Sequence, residues 1–395
     1  MQGNKHKKTP PHEKFPRKTH NIGIYQQTLY TKKQKERNFK KMSILFIIIG
    51  SGILTYSIMI LSIPILQKIS VKYNFVDTPN DRKIHHKPIP NSGGIAIYLS
   101  ILPTLIFLAI QNQKFTGLII SATLITGLGI LDDKINLNPK LKLLGQCLST
   151  LAVLHSGILI QWITNPFGGV LIFNGLSYPI TLLWIIAVIN AFNLIDGIDG
   201  LATGITCISC FALGIIAFKT NNMHATLLAI TLLSSACGFF KYNKYPAKIF
   251  MGDSGAMLIG LLLGCISVSG VLKSTLSLSF FSPLLILAFP LSDTLYAIFR
   301  RLKNKQKLFT ADKKHLHHQL INKGFNIPQI VTGICSLSAI LSAIAIIITL
   351  PKNMMLYASL GLITCISILI KPIRHKFKSS ENPFFKLPPQ PPVIN

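Results

Sequence analysis

Apolar residues gather in long runs near 43–66, 93–111, 116–131, 143–160, 179–195, 201–218, 224–240, 253–271, 280–299, 327–349 and 354–370, parted by short polar stretches. Each run approaches the roughly 17–25 residues a helix needs to cross a bilayer. Because a backbone in lipid must satisfy its own hydrogen bonds, such runs become helices. The pattern therefore predicts an all-α, polytopic integral membrane protein with about eleven transmembrane helices. Composition agrees: 395 residues that are 49% hydrophobic and only 13% charged are too apolar for a soluble chain.

Three segments follow. Residues 1–41 are a Lys-rich tail expected to be disordered, 42–371 form the transmembrane domain, and 372–395 are a Pro-rich tail. All seven cysteines, Cys147, Cys207, Cys210, Cys237, Cys265, Cys335 and Cys365, fall inside apolar runs, which suits helix packing and implies no disulfide framework.

A net charge of +28 raises the question of nucleic acid, but the basic residues are divided among loops. Loops near 68–92, 132–142, 241–248 and 300–323 each carry several Lys or Arg, whereas the alternate loops carry one at most. The distribution reads as topology and attraction to membrane lipids, with no nucleic acid as partner, and it puts the first set of loops in the cytoplasm. The basic N-terminal tail disobeys that topology. Met42, directly before "SILFIIIGSGILTYS", is accordingly the expected start of translation.

The acidic residues carry the most information. Of twelve, Glu13, Glu36 and Glu381 lie in the tails; the other nine are Asp77, Asp81, Asp132, Asp133, Asp196, Asp199, Asp253, Asp293 and Asp312. All nine but Asp293 sit at or just beyond the end of an apolar run. Successive clusters are separated by two runs, so all five face the same side. A carboxylate at a membrane boundary is costly unless hydrated, paired or metal-bound. Any one is read most simply as a solvated helix end. Five on one face, mixed with Asn, Gly, Lys and His, suit a phosphate-handling site: hard oxygens for Mg²⁺, cations for phosphate, and glycines for close backbone approach.

In "LGILDDKINLNPKLKLLGQ" the adjacent Asp132 and Asp133 repel unless a cation relieves them. "KIFMGDSGAMLIGLLLG" sets Asp253 where a run begins, as helix cap or Mg²⁺ ligand, with Phe250 as a rim aromatic able to stack on a base. "DRKIHHKPIPNSGG" supplies Arg82, Lys83, His85, His86 and Lys87 before a Pro/Gly turn. "RRLKNKQKLFTADKKHLHHQLINKGF" holds His315, His317 and His318 with Asp312, at a spacing unlike a zinc motif and better suited to phosphate or acid–base contact. Asp293 in "FPLSDTLYAIFRR" is a candidate structural partner of Arg300 and Arg301. "NAFNLIDGIDGLATG" repeats Asn190, Asn193, Asp196 and Asp199 in three-residue steps. An α-helix would fan these across half its circumference, so Gly197 and Gly200 predict an interruption there.

Together these motifs, between about Met42 and Lys371, resemble the polyprenyl-phosphate N-acetylhexosamine-1-phosphate transferase superfamily, glycosyltransferase family 4. The "HLHH" element is similar to the WecA/TagO-type branch. Asn136 and "PNSGG" depart from the branch that makes the first peptidoglycan lipid intermediate. The resemblance implies attack of undecaprenyl phosphate on UDP-N-acetylglucosamine with release of UMP, at the cytoplasmic face of the bacterial inner membrane. It implies Mg²⁺, with Mn²⁺ as a substitute, bound by Asp253 with Asp132 and Asp133, the pair also serving to activate the lipid phosphate. His315, His317 and His318 would contact phosphate or sugar. Asn193, Asp196, Asp199, Asn243 and Phe250 would form the nucleotide side, and Arg82, Lys83, His85, Lys87 and Arg301 would add substrate contacts. Ala256 stands where many relatives have Ser. A homodimer stays open, as do another UDP-N-acetyl sugar donor and, from a different class, a membrane transporter.

Overall fold

The computed structural model describes residues 19–78, 88–164, 169–272, 281–305, 316–350, 354–355 and 359. Residues 1–49 and 50–395 are two compact units. The first holds the opening of α1 (Thr19–Lys72), so part of the tail expected to be disordered is helical. Its stretch "QQTLYTKKQKERNFKK" has no Gly or Pro and is rich in straight-chain side chains that lose little freedom in a helix.

The second unit continues with α2 (Gly93–Gln111), α3 (Thr116–Ile135), α4 (Pro139–His155), α5 (Ser177–Ile195), α6 (Leu201–Lys219), α7 (Met223–Asn243) and α8 (Gly252–Ser267). After these come α9 (Phe281–Ile286), α10 (Ala288–Lys303), α11 (Leu316–Asn322) and α12 (Ile327–Ile348). Two short antiparallel ribbons interrupt the helices: β1 (Val76–Asp77) with β2 (Ile89–Pro90), and β3 (Trp162–Thr164) with β4 (Val170–Ile172).

Eight helices among the described residues are long and apolar enough to cross a membrane: α1 from Met42, then α2, α3, α5, α6, α7, α8 and α12. The chain is a multi-pass all-α membrane protein. The eleven runs differ from these eight at three places. The run 143–160 is the 17-residue α4, about 25 Å long at 1.5 Å per residue. The run 280–299 breaks at Leu287 into α9 and α10. Pro290 explains the break, since its ring would clash with the carbonyl of Ile286 in a continuous helix, whereas the first turn of α10 tolerates it. The run 354–370 lies almost wholly outside the described residues.

The hub is α8, packed against α2, α3 and α5, with every residue from Ser254 to Ser267 buried. Bare backbones make this possible: a Cβ on Gly94 would lie 2.2 Å from the Gly255 nitrogen, and one on Gly129 would lie 2.2 Å from the Ser254 Cα. In lipid, such small-residue contacts and interhelical hydrogen bonds replace the hydrophobic drive of a soluble core. Ser100 and Ser235 hydroxyls meet at 2.8 Å, Thr231 donates to Thr104 at 3.2 Å, and Trp184 Nε1 donates to Ser267 at 2.8 Å.

Candidate active site

The site is built where α3 and α5 end and α4 and α8 begin. "DDKINLNPKLK" folds as a helix stop, a tight reversal and a helix start. Asn136 adopts left-handed backbone at φ 50°, its N–H returning to the Asp132 carbonyl at 2.9 Å. Asn138 then caps α4 by accepting the Lys140 N–H at 3.1 Å, with Pro139 opening the helix. Asn tolerates the left-handed region, and Pro suits a first turn whose N–H has no intrahelical partner. The reversal folds Lys142 back onto the carboxylates. Its Nζ lies 2.6 Å from Asp132 Oδ2 and 3.1 Å from Asp253 Oδ2. Asp132 Oδ1 accepts the Leu137 N–H at 2.8 Å.

Asp133, adjacent in sequence, does something different. Its Oδ1 accepts the backbone N–H of Asp253 at 2.8 Å and an amide N–H of Asn91 at 3.1 Å, and its Oδ2 accepts the Ser254 N–H at 3.2 Å. It is the N-terminal cap of α8, delivered from another helix. Asp253, weighed from sequence as a cap for its own helix, is thereby freed to point its carboxylate at Lys142. Gly252 makes room with φ 69°, and a Cβ there would sit 2.7 Å from Asp133 Oδ2.

"NAFNLIDGIDG" is interrupted as its glycines suggest: α5 ends at Ile195, Asp196 sits at its C-cap, and Gly200 takes φ 79° before α6. From the last turn of α5, Asn193 donates its amide N–H to Asp253 Oδ1. Asp199 Oδ2 accepts the Ala247 N–H at 2.9 Å. Asn243, 3% exposed, accepts from the Gly200 N–H at 3.2 Å and the Thr203 hydroxyl at 2.8 Å, and donates to the Ile249 carbonyl at 3.1 Å. Asp199 and Asn243 therefore brace the loop that leads to α8. Phe250 is half-buried on that loop, its backbone tied to Pro90 and Gly93, each at 2.9 Å. The Asp196 carboxyl is pushed up to about 8 by burial and then by the charges of Asp253, Asp133 and Asp199.

Thus Asp132, Asp133, Asn193, Asp196 and Asp253 come together, with Asn91 reaching in from the "PNSGG" turn. Arg82, Lys83, His85, Lys87 and His315 lie outside the described residues, as do Asp81, His86 and Asp312. His317 and His318 fall on α11, but their side chains also lie outside them. Arg301 is 8% exposed in the last turn of α10. Asp293 accepts the Leu316 N–H at 3.2 Å, holding the start of α11 against α10. Sequence reasoning missed Lys142, although the Asn-x-Asn-Pro reversal just before it was the available signal.

Two carboxylates converging on one cation position make a site for positive charge. Hard carboxylate oxygens of this kind suit a divalent ion completed by water and phosphate oxygens. Asp132 and Asp253 fit that task because each turns its Oδ2 to the Lys142 ammonium, a cation that a metal ion could replace, whereas both oxygens of Asp133 are held by the N–H groups of α8 and Asn91. Among the described residues no group of three or more His, Cys, Asp or Glu is arranged to hold a metal alone.

The model of the family described as "Glycosyl transferase family 4" matches residues 115–271, which include Asp132, Asp133, Lys142, Asn193, Asp196 and Asp253. The chain is 34% identical over 310 residues to a probable undecaprenyl-phosphate N-acetylglucosaminyl 1-phosphate transferase of Bacillus subtilis, covering 78% of this chain and 86% of that protein. It is 30% identical to an undecaprenyl-phosphate alpha-N-acetylglucosaminyl 1-phosphate transferase of Yersinia pestis, over 72% of this chain and 79% of that one. A decaprenyl-phosphate N-acetylglucosaminephosphotransferase of Mycobacterium leprae is 30% identical, over 64% of this chain and 71% of that one.

Proposed function

Because this chain belongs to glycosyl transferase family 4, we propose that it transfers N-acetylglucosamine 1-phosphate from UDP-N-acetylglucosamine to undecaprenyl phosphate. The observation that carries this reading is the convergence of Asp132, Asp253, Lys142 and Asn193 at one end of a membrane bundle. A lipid phosphate and a water-soluble nucleotide sugar meet only at such a boundary. The names of the relatives support the sugar and the lipid. The lysine- and arginine-bearing loops at the same end support a cytoplasmic site in a bacterial inner membrane.

An oxygen of the lipid phosphate attacks the phosphorus that bears the sugar, the bond from that phosphorus to the UMP oxygen breaks, and UMP leaves. The product is a lipid-linked diphosphate sugar, the first intermediate of a cell-envelope polysaccharide. Such a transfer needs charge neutralisation and in-line placement more than covalent help. Asp253 and Asp132 would hold Mg²⁺, which would supply part of that neutralisation. The Lys142 ammonium, which bridges the same two carboxylates, supplies positive charge at the site. Asn193 orients the Asp253 carboxylate, and Asp133 fixes the helix that carries it. Phe250 offers a ring for the uracil, and the histidines of "HLHH" offer phosphate contacts.

The test is incorporation of label into lipid by the purified protein with undecaprenyl phosphate, Mg²⁺ and radiolabelled UDP-N-acetylglucosamine. Label that enters lipid and returns to the nucleotide on addition of UMP supports the reaction. No lipid label from this or any other UDP-N-acetyl sugar refutes it and favours transport.

A further inference from the structure

Directly beneath the charged contacts lies a second, uncharged layer. Gln146 on α4 is 1% exposed and follows Lys142 by one helical turn. Asn190 on α5 precedes Asn193 by one turn. The two side chains pair amide to amide: Asn190 Nδ2 donates to Gln146 Oε1 at 2.8 Å, and Gln146 Nε2 faces Asn190 Oδ1 at 3.5 Å. Gln146 Nε2 is also 3.5 Å from the sulfur of Met257, one turn after Asp253 on α8. Asn190 Nδ2 additionally donates to the Ile186 carbonyl at 2.9 Å, which fixes its rotamer.

Side chains three or four residues apart on a helix stand one above the other. The lower contacts therefore repeat the upper ones turn for turn: α4, α5 and α8 meet through Lys142, Asn193 and Asp253 above, and through Gln146, Asn190 and Met257 below. We infer that the Gln146–Asn190 pair is a positioning unit that sets the register of α4 against α5, so that Lys142 and Asn193 reach the two oxygens of Asp253 together. The two amides engage each other, the Ile186 carbonyl and the Met257 sulfur, one turn below the charged groups. A part-buried reciprocal amide pair is specific because a slip by one residue strands the buried Gln146 amide and breaks the Asn190 bond to it. A misplacement of about 1 Å at reacting groups costs on the order of 100-fold in rate. The pair thus acts on catalysis through the groups above it.

The kinetic part of the test rests on the reaction proposed above. The wild-type protein separates the two ideas: no lipid-linked product from wild type refutes the reaction, whereas an active wild type with unaffected variants refutes the positioning role. The variants are Gln146→Met, Asn190→Leu, their combination, and the exchange Gln146→Asn with Asn190→Gln. Thermal unfolding midpoint, kcat and KM for UDP-N-acetylglucosamine are measured for each in the full-length protein. Either single change removes the partner of one amide, the buried Gln146 or the part-buried Asn190, and lowers both midpoint and kcat. In the apolar double variant neither amide is stranded, so the midpoint recovers, while kcat stays about 10- to 100-fold down with KM within about twofold. A double variant that recovers kcat along with the midpoint overturns the inference, as does a loss confined to KM. If that variant does not fold, the exchange decides. It keeps two amides and their summed length, so kcat within about threefold of wild type supports positioning and a loss of about tenfold or more overturns it.

Discussion

Asp133→Asn removes one negative charge and changes one oxygen into an N–H₂ group, with almost no change in volume. In the native arrangement three N–H groups converge on the carboxylate: Asp253 and Asn91 on Oδ1, Ser254 on Oδ2. An amide keeps one acceptor oxygen and turns a donor toward the remaining N–H. Loss of a capping bond costs about 1–2 kcal/mol, and loss of a partly buried charge at a helix N-terminus costs up to about 2 kcal/mol more. The expected destabilisation is therefore about 2–4 kcal/mol, concentrated at the first turn of α8. Because that turn carries Asp253, kcat falls as well, on the order of 100-fold. The assay combines thermal unfolding of the purified protein with the Mg²⁺ dependence of lipid labelling. A cap predicts a lowered midpoint, a lowered kcat and a half-saturating Mg²⁺ concentration within about threefold of wild type, whereas Asp253→Asn raises that concentration by about tenfold or more. An Asp133→Asn protein with native stability and a Mg²⁺ requirement shifted as far as that of Asp253→Asn refutes the cap and makes Asp133 a metal ligand.

Three further outcomes are expected. Lys142→Met leaves Asp132 and Asp253 facing each other without their shared cation, and lipid labelling falls by about 100-fold or more; Lys142→Arg does not restore it, because a planar fork does not replace a point charge between two carboxylates. Asp196 in the folded protein has its pKa raised from 3.8 to about 8, so between these values the folded state holds a proton that the unfolded chain has lost. Stability in the presence of a chelator therefore falls as pH rises through that window, and Asp196→Asn flattens the dependence of the unfolding midpoint on pH. Gly129→Ala drives a Cβ to within 2.2 Å of the Ser254 Cα; overpacking of about 1–3 kcal/mol or more lowers the unfolding midpoint and the yield of monodisperse protein.

The membrane class, most helix positions and the meeting of Asp132, Asp133, Asp196 and Asp253 on one face were legible, because run length and parity are properties of order along the chain. The break at Leu287 was not, since hydropathy registers Pro290 only weakly and the clash with Ile286 is a matter of backbone geometry. Nor was the division of labour between Asp132 and Asp133. It depends on α8, whose N-terminus lies 120 residues further along the chain, and no local pattern separates a cap from a ligand across such a gap. Lys142 was hidden for a related reason: among so many basic residues its importance comes from where a three-residue reversal returns it. Asn190 was visible as one of four regular polar positions, but its partner Gln146 lies in a stretch that reads as an ordinary start of a helix.

The complete enclosure of α8 bears on the order in which the molecule is assembled. The ribosome delivers α2 through α7 before α8, so the helices that will surround it enter the membrane around a vacancy. Lys142, Asn193 and Asp133 are then all present, yet each lacks its partner from the missing helix. Arrival of α8 fills the vacancy, gives Asp133 the Asp253 and Ser254 N–H groups it caps, and gives Lys142 and Asn193 the Asp253 carboxylate. A chain stopped before Gly252 therefore keeps only the Asp132 half of the Lys142 contact and leaves uncovered the faces of α2, α3 and α5 that pack on α8.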